Sequence, residues 1–325
     1  MLKIKLLFTL LALCLAHASV QALTPAAPPT LSLHAADVRS EAAKSLMLSA
    51  AFAGQRVVAV GERATVLLSD DGGTHYRQAQ KVPVSSTLTG VSFVNERLGW
   101  AVGHWGVILN TTDGGEHWVV QRSDMSTDQP LLDVHFMDDQ HGVAVGLWSL
   151  ILYTQDGGKT WLKGEPPATD GTHRFDLNLY HLFAGAAGEL FASAEKGKLL
   201  RSTDAGLSWT VMDTGYKGSL WSGILARDGS LLVGGLRGTV LRSEDQGKTW
   251  QNLKTDSTSS VTALSQLPDG RIVGAALDGV SLDSKDGRSF TVKRSPQGDA
   301  FTWIGANAAG QVLVMSRSGP MQLQR

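Results

Sequence analysis

Cysteine is nearly absent from the chain: Cys14 is the only one in 325 residues. It lies in an apolar run over 6–16 that follows Lys3 and Lys5 and precedes Val20-Gln21-Ala22, a small-x-Ala cleavage signature. Ala16-His17-Ala18 offers an alternative cut. Residues 1–22 read as a secretory signal peptide, too short to count as a spanning helix. Leu13 precedes Cys14 where a lipoprotein signal would want a small residue, which argues against lipidation. The remaining 23–325 would be cysteine-free, which excludes disulfides, thiol catalysis and cysteine-ligated metals. Such a chain suits an oxidising extracytoplasmic compartment, periplasmic or lumenal.

An excess of one charge sign is also missing. The sequence carries 29 Lys and Arg against 30 Asp and Glu, and removing Lys3 and Lys5 leaves 27 against 30. Nothing here favours nucleic acid or an anionic membrane. Beyond residue 22 no apolar run is long enough to span a bilayer. There is no phosphate-cradling glycine loop. His135, His141, His173 and His181 do not fall at metal-ligand spacings, so neither a metal nor another cofactor is expected.

Glycine is abundant, with 36 residues among many short Val, Leu and Ile runs, which points to an all-β protein rich in tight turns. The sequence also repeats itself. TQDGGKTW at 154–161 has echoes in SDDGGTHY (69–76), TTDGGEHW (111–118), STDAGLSW (202–209) and SEDQGKTW (243–250), with a worn copy DSKDGRSF at 283–290. The aromatic positions, Tyr76, Trp118, Trp161, Trp209, Trp250 and Phe290, are 42, 43, 48, 41 and 40 residues apart. Each period holds four short strands, as LTGVSFVN, GWAVG, VILN and WVVQ in the second repeat. That is the pattern of a β-propeller blade.

Inner strands around Phe52, Phe93, Phe136, Phe183, Ile224, Leu264 and Ile304 predict one seven-bladed propeller over 23–325. The chain ends soon after the strand at 312–315, so the segment Leu31-Ser32-Leu33-His34 is expected to supply an N-terminal strand that closes the ring.

The repeated octapeptide is the Asp-box of sialidases and other propellers. Asp71, Asp113, Asp156, Asp204 and Asp245 should accept turn amides, the Ser or Thr should tie the strand end, and Trp118, Trp161, Trp209 and Trp250 should pack inward. Recurrence in every blade marks a fastener, since one active site needs one copy. Counting back from Phe290, Lys285 takes the Asp slot of the sixth copy, with Asp286 displaced by one.

The fuller unit, seen in FVNERLGWAVGHWGVILNTTDGGEHW (93–118) and FMDDQHGVAVGLWSLILYTQDGGKTW (136–161), resembles the photosystem II stability/assembly factor family. The resemblance covers essentially the whole chain after the leader and is strongest over 88–163. It implies a non-enzymatic seven-bladed propeller that holds a newly made membrane-protein or envelope-complex subunit, with no cofactor. A monomer is expected.

A partner would meet the face opposite the Asp-boxes. Aligning the turns between second and third strands gives one projecting residue per blade: Arg63, Trp105, Trp148, Lys196, Arg237 and Asp278. Two tryptophans and three cations would ring one end of the central channel, and Trp and Arg often carry interface energy. Arg201 and Arg242, at equivalent ends of third strands, would extend the basic character. His173 and Arg174, in the long link 164–176, join the partner-binding set. The alternative class is a carbohydrate-binding or sialidase-like propeller, with Trp105 and Trp148 stacking on sugar. Against catalysis, the Arg-Ile-Pro motif of sialidases is missing, only four tyrosines exist, and the carboxylates Glu62, Asp133, Asp176, Glu195 and Asp278 form no paired motif. No catalytic residue is assigned.

Overall fold

The computed structural model of the protein describes residues 33–167 and 176–323. Seven antiparallel sheets follow one another at 47–78, 88–122, 131–163, 179–213, 220–253, 261–294 and 301–323, as a propeller requires. In each, strand order in space equals strand order in sequence, so every connection is a hairpin. Six sheets have four strands and the seventh has three among the described residues.

The second strands are buried along their length, as in Gly99–Gly103 and Gly142–Gly146. A sheet packed on both faces calls for continuous apolar residues, which explains runs such as WAV and VAV. The core is correspondingly divided: one apolar cluster lies at each of the seven junctions between consecutive blades.

The spacing from phenylalanine to glycine has a steric cause. Phe93 pairs across the hairpin with Gly99, and a Cβ at Gly99 would sit 2.5 Å from the Phe93 ring. Gly142 under Phe136 is the same arrangement. The ring so placed meets the Asp-box tryptophan of its own blade edge-on, Phe93 with Trp118 at 6.3 Å and Phe136 with Trp161 at 5.8 Å.

The Asp-boxes are fasteners, as their recurrence implied. Asp156 Oδ1 accepts the Thr154 hydroxyl at 2.8 Å and the Thr160 amide at 2.9 Å, while the Gly158 amide donates to Thr154 Oγ1. Asp71, Asp113, Asp204 and Asp245 repeat the pattern. Bonds from the Thr160 hydroxyl and amide hold the Asp156 carboxyl down at about 2, and those from Thr249 do the same for Asp245. The indoles of Trp118, Trp209 and Trp250 each donate to the box glycine carbonyl three residues earlier.

The sixth copy corrects the count made from Phe290. Asp286 accepts the Ser284 hydroxyl and the amides of Arg288 and Ser289, so it holds the carboxylate role itself. The residue lost lies after the aspartate, where the Gly287 amide reaches Ser284 Oγ across three residues instead of four.

Closure also differs from expectation. Leu31 and Ser32 lie outside the described residues. Leu33 and His34 form no strand, and Leu33 and Ala36 pack against the cluster between the first two blades. The Ala36 amide donates to Val82 O, and Gln78 Nε2 donates to Asp37 O. The third strand of the seventh blade is Gly319–Leu323 at the C-terminus. The ring is joined by contacts between first and seventh blades: Thr302 Oγ1 donates to Met47 O at 2.6 Å, and Asn307 Nδ2 to Gly72 O at 2.7 Å.

Candidate functional site

The start of each inner strand pairs with the end of the second strand, as Met47 does with Gly61, so inner strands begin on the face that carries the second-to-third turns. That face has an inner and an outer circle of residues.

The outer circle consists of the six aligned turns. Their first central residues all take left-handed backbone: Arg63 (φ 52), Trp105 (60), Trp148 (54), Lys196 (57), Arg237 (55) and Asp278 (60). The next residue is also left-handed in every case, Ala64, Gly106, Ser149, Gly197, Gly238 and Gly279. Two successive positive φ values make the primed hairpin turn that matches strand twist. Bulky residues there cost of order 1–3 kcal/mol each, a strain the flanking strands and links must hold. The links do so: the Trp105 amide donates to Asp128, the Trp148 amide to Asn178 and the Arg237 amide to Ser260.

Arg63, Trp148, Lys196, Arg237 and Asp278 are exposed, with Trp148 at 53%. Trp105 differs: it is half-buried and packs on the cluster between the first and second blades. The six do not line the channel, whose wall is built from the inner strands alone. Arg63, Lys196 and Arg237 have no carboxylate partner among the described residues.

The inner circle went unnoticed in the sequence. Every inner strand carries a β-bulge at its second residue, and those residues, Leu48, Thr89, Leu132, Tyr180, Trp221, Thr262 and Thr302, frame the channel mouth, a cavity of about 360 Å³. Bulges re-aim side chains, here toward the axis. The threonines also bolt neighbouring blades: Thr89 Oγ1 donates to Leu131 O and Thr262 Oγ1 to Phe301 O. Tyr180 and Trp221 sit edge to face at 6.4 Å on one arc of the mouth. The signal was present as the second residue of each inner strand, but it needs the register to be seen.

Inside the channel, the wall brings together side chains that are far apart in sequence. His181 Nδ1 lies 2.7 Å from Asp133 Oδ2, which also accepts the Leu182 amide at 2.9 Å, so the third and fourth blades are stitched together. Burial lowers the pKa of His135 beside them. The other carboxylates accept from their own surroundings: Glu62 the Leu46 amide, Glu195 the Asn178 amide and side chain and the Tyr180 hydroxyl, and Asp278 the Ser259 hydroxyl.

Two of the expected contact residues belong elsewhere. Arg242 is 2% exposed and is held by Asp228 at 2.6 Å and Glu244 at 3.1 Å. Arg201 is bound to Glu189. Both lie at the ends of third strands beside the Asp-boxes, on the opposite face, and their charge is spent internally. His173 and Arg174 lie outside the described residues.

The structure is similar to "YCF48 bound to D1 peptide" at 20% identity and a TM-score of 0.70, covering 90% of this chain and 97% of that one. It is similar to YCF48 from Cyanidioschyzon merolae at 16% identity and 0.67, with coverages of 86% and 95%. The WD40 β-propeller domain of Doa1 is similar at 13% and 0.66, with coverages of 89% and 94%, so the likeness in shape speaks for the fold alone. No curated protein matches the sequence. The family model described as photosynthesis system II assembly factor YCF48 matches residues 119–281, half of the chain, and the chain therefore belongs to that family.

Proposed function

We propose that the protein is a non-enzymatic extracytoplasmic assembly factor that holds a membrane-protein or envelope-complex subunit through its turn face. The observation that carries this reading is the exposed set Arg63, Trp148, Lys196 and Arg237, displayed on rigid turns around an aromatic-lined mouth. Cations without internal partners keep their charge for a ligand, and aromatic and Arg side chains are the usual anchors of interfaces. The chemistry fits an acidic, partly apolar protein segment. Family membership supports a protein partner, since a relative of the same fold is described as bound to a D1 peptide. The channel and turn carboxylates are taken up by bonds from neighbouring backbone and side chains, which supports a binding role over hydrolysis.

The test is affinity capture from envelope extracts with the parent protein and with a variant carrying Arg63→Ala, Trp148→Ala, Lys196→Ala and Arg237→Ala. Enrichment of a membrane-protein subunit by the parent, lost in the folded variant, is the expected result. Equal capture by both would move the site off this face. A second reading, carbohydrate binding, rests on the Tyr180–Trp221 pair at the mouth. It predicts a tryptophan fluorescence change with soluble glycans, which an assembly factor would not give.

A further inference from the structure

Six blades seal the junction with the preceding blade by the same device. Tyr76, Trp118, Trp161, Trp209, Trp250 and Phe290 each pack into an inter-blade cluster and lead into a fourth strand of two to four residues. The seventh blade has neither part among the described residues, and the sequence from 307 to 325 contains no aromatic residue. Its third strand, Gly319–Leu323, pairs with Val312–Ser316 on one side and with no other strand among the described residues.

At this junction lies a cavity of about 310 Å³, lined by Val273, Asp283 and Lys293 of the sixth blade and Ile304, Val312 and Leu323 of the seventh. Its position is the one the repeat dictates. The box glycine of a following blade stands over one fixed position of the blade before it: Gly73 over Leu313, Gly115 over Val58 and Gly206 over Val143. Each of those residues pairs with the fifth residue of its inner strand, and Val273 does the same with Ser265. Among the described residues the cavity is thus an aromatic slot without its aromatic, next to a strand edge without its neighbour.

We propose that this junction is a peptide-binding site. It takes an extended segment of another protein, whose aromatic side chain fills the cavity and whose following residues pair with Gly319–Leu323 as a fourth strand. An open edge offers main-chain bonds to any extended chain, and the slot confers the choice of side chain. The charges of the lining balance, Asp269 and Asp283 against Arg271 and Lys293, so the slot and the edge, rather than charge, select the segment. The chain's own leader is a poor occupant. Residues 23–32 contain no aromatic, and Pro25, Pro28 and Pro29 cannot donate strand hydrogen bonds.

The probe is a fluorescein-labelled peptide with the sequence of residues 207–214, LSWTVMDT, whose Trp209 and Thr210–Asp213 perform this role in the fourth blade. Titrated against the purified protein, it should raise fluorescence anisotropy saturably and protect the amides of 319–323 from hydrogen exchange. Replacing its tryptophan by serine should weaken binding at least tenfold. Ser281→Trp, which places an indole in the cavity, and Leu323→Lys at its edge should each do the same, and if the first fails to fold the second decides. Lys159→Ala, at an exposed position of the third blade, should bind as the parent does. The proposal is overturned by an absence of saturable binding, by equal affinity for both peptides, or by protection elsewhere. Binding that appears only once residues 1–32 are cut away would also overturn it, since the chain's own leader would then be the occupant.

Discussion

Neutralising Asp228 and Glu244 together, as Asp228→Asn with Glu244→Gln, strands the Arg242 guanidinium. That side chain is 2% exposed, and its remaining acceptor is Gly287 O at 3.3 Å. The two amides keep the shape of the carboxylates and one acceptor oxygen each, which at position 228 can still accept the Ser230 amide. What disappears is the counter-charge, and an uncompensated buried charge costs about 3 kcal/mol or more. Retained hydrogen bonds offset part of that, leaving about 2 kcal/mol. Arg242→Met acts in the opposite sense. It removes the buried charge and leaves two carboxylates that are 53% and 59% exposed and can hydrate, so about 1 kcal/mol is lost. Combining Arg242→Met with the two neutralising changes should cost about as much as Arg242→Met alone, because nothing is left to strand. Urea unfolding followed by tryptophan fluorescence gives the midpoints. If the Asp228→Asn, Glu244→Gln protein proves as stable as Arg242→Met or more so, the electrostatic account is wrong. All of these variants should capture the proposed partner as the parent does.

Thr302→Val removes the 2.6 Å bond to Met47 O that joins the last blade to the first, and should cost about 1 kcal/mol. An unchanged urea midpoint would show that closure does not depend on that bond. Acid should weaken the fold through the Asp-boxes. Asp156, Asp245 and Asp286 are held at about 2 by hydrogen bonds to the folded turn, below the usual 3.8. A depressed folded value means that the stabilisation is complete above about pH 4 and is lost as pH falls through about 2. Melting temperature measured down that range should fall, less steeply for Asp245→Asn, and equal slopes would refute the assignment. Trp148→Ala should lower partner capture with a stability loss under about 1 kcal/mol, since the ring is 53% exposed. Trp105→Ala should instead destabilise by about 2 kcal/mol through lost packing, and calorimetry of the two separates the roles.

The fold was legible because its signals are local and repeated. A box such as TQDGGKTW fixes its own hairpin, and the Phe-to-Gly spacing records one pair of facing residues, Phe93 and Gly99. Turn residues were legible for the same reason: Arg63, Trp148, Lys196 and Arg237 occupy one position of one turn type. What escaped depended on register between strands or on partners distant in sequence. Arg242 follows the same spacing as an exposed residue, yet Asp228 and Glu244 enclose it. Leu48, Leu132, Tyr180 and Trp221 look like ordinary strand residues until the bulges turn them to the axis. Leu33 and His34 were matched to the seventh blade by distance along the chain, but the Ala36 amide finds its acceptor at Val82 beside the first.

The arginines enclosed beside the Asp-boxes contrast with three cations of the turn face in what they can do. Beside the Asp-boxes, Arg56 and Arg77 are held by Asp70 and Glu116, Arg271 by Asp269 and Asp283, and Arg242 by Asp228 and Glu244. Each of these arginines ties strand starts or hairpins together, and a partner would have to break the pair to reach it. On the turn face, Arg63, Lys196 and Arg237 have no such carboxylate among the described residues, although each sits in a strained left-handed turn that a glycine would occupy at less cost. Bulky, charged residues in glycine's preferred conformation gain nothing for the fold, so their presence at three sister positions is more economically explained by what binds there. Replacing Arg63, Lys196 and Arg237 together by glycine should therefore leave the urea midpoint unchanged or higher while partner capture is lost; a clear loss of stability would return these residues to the scaffold.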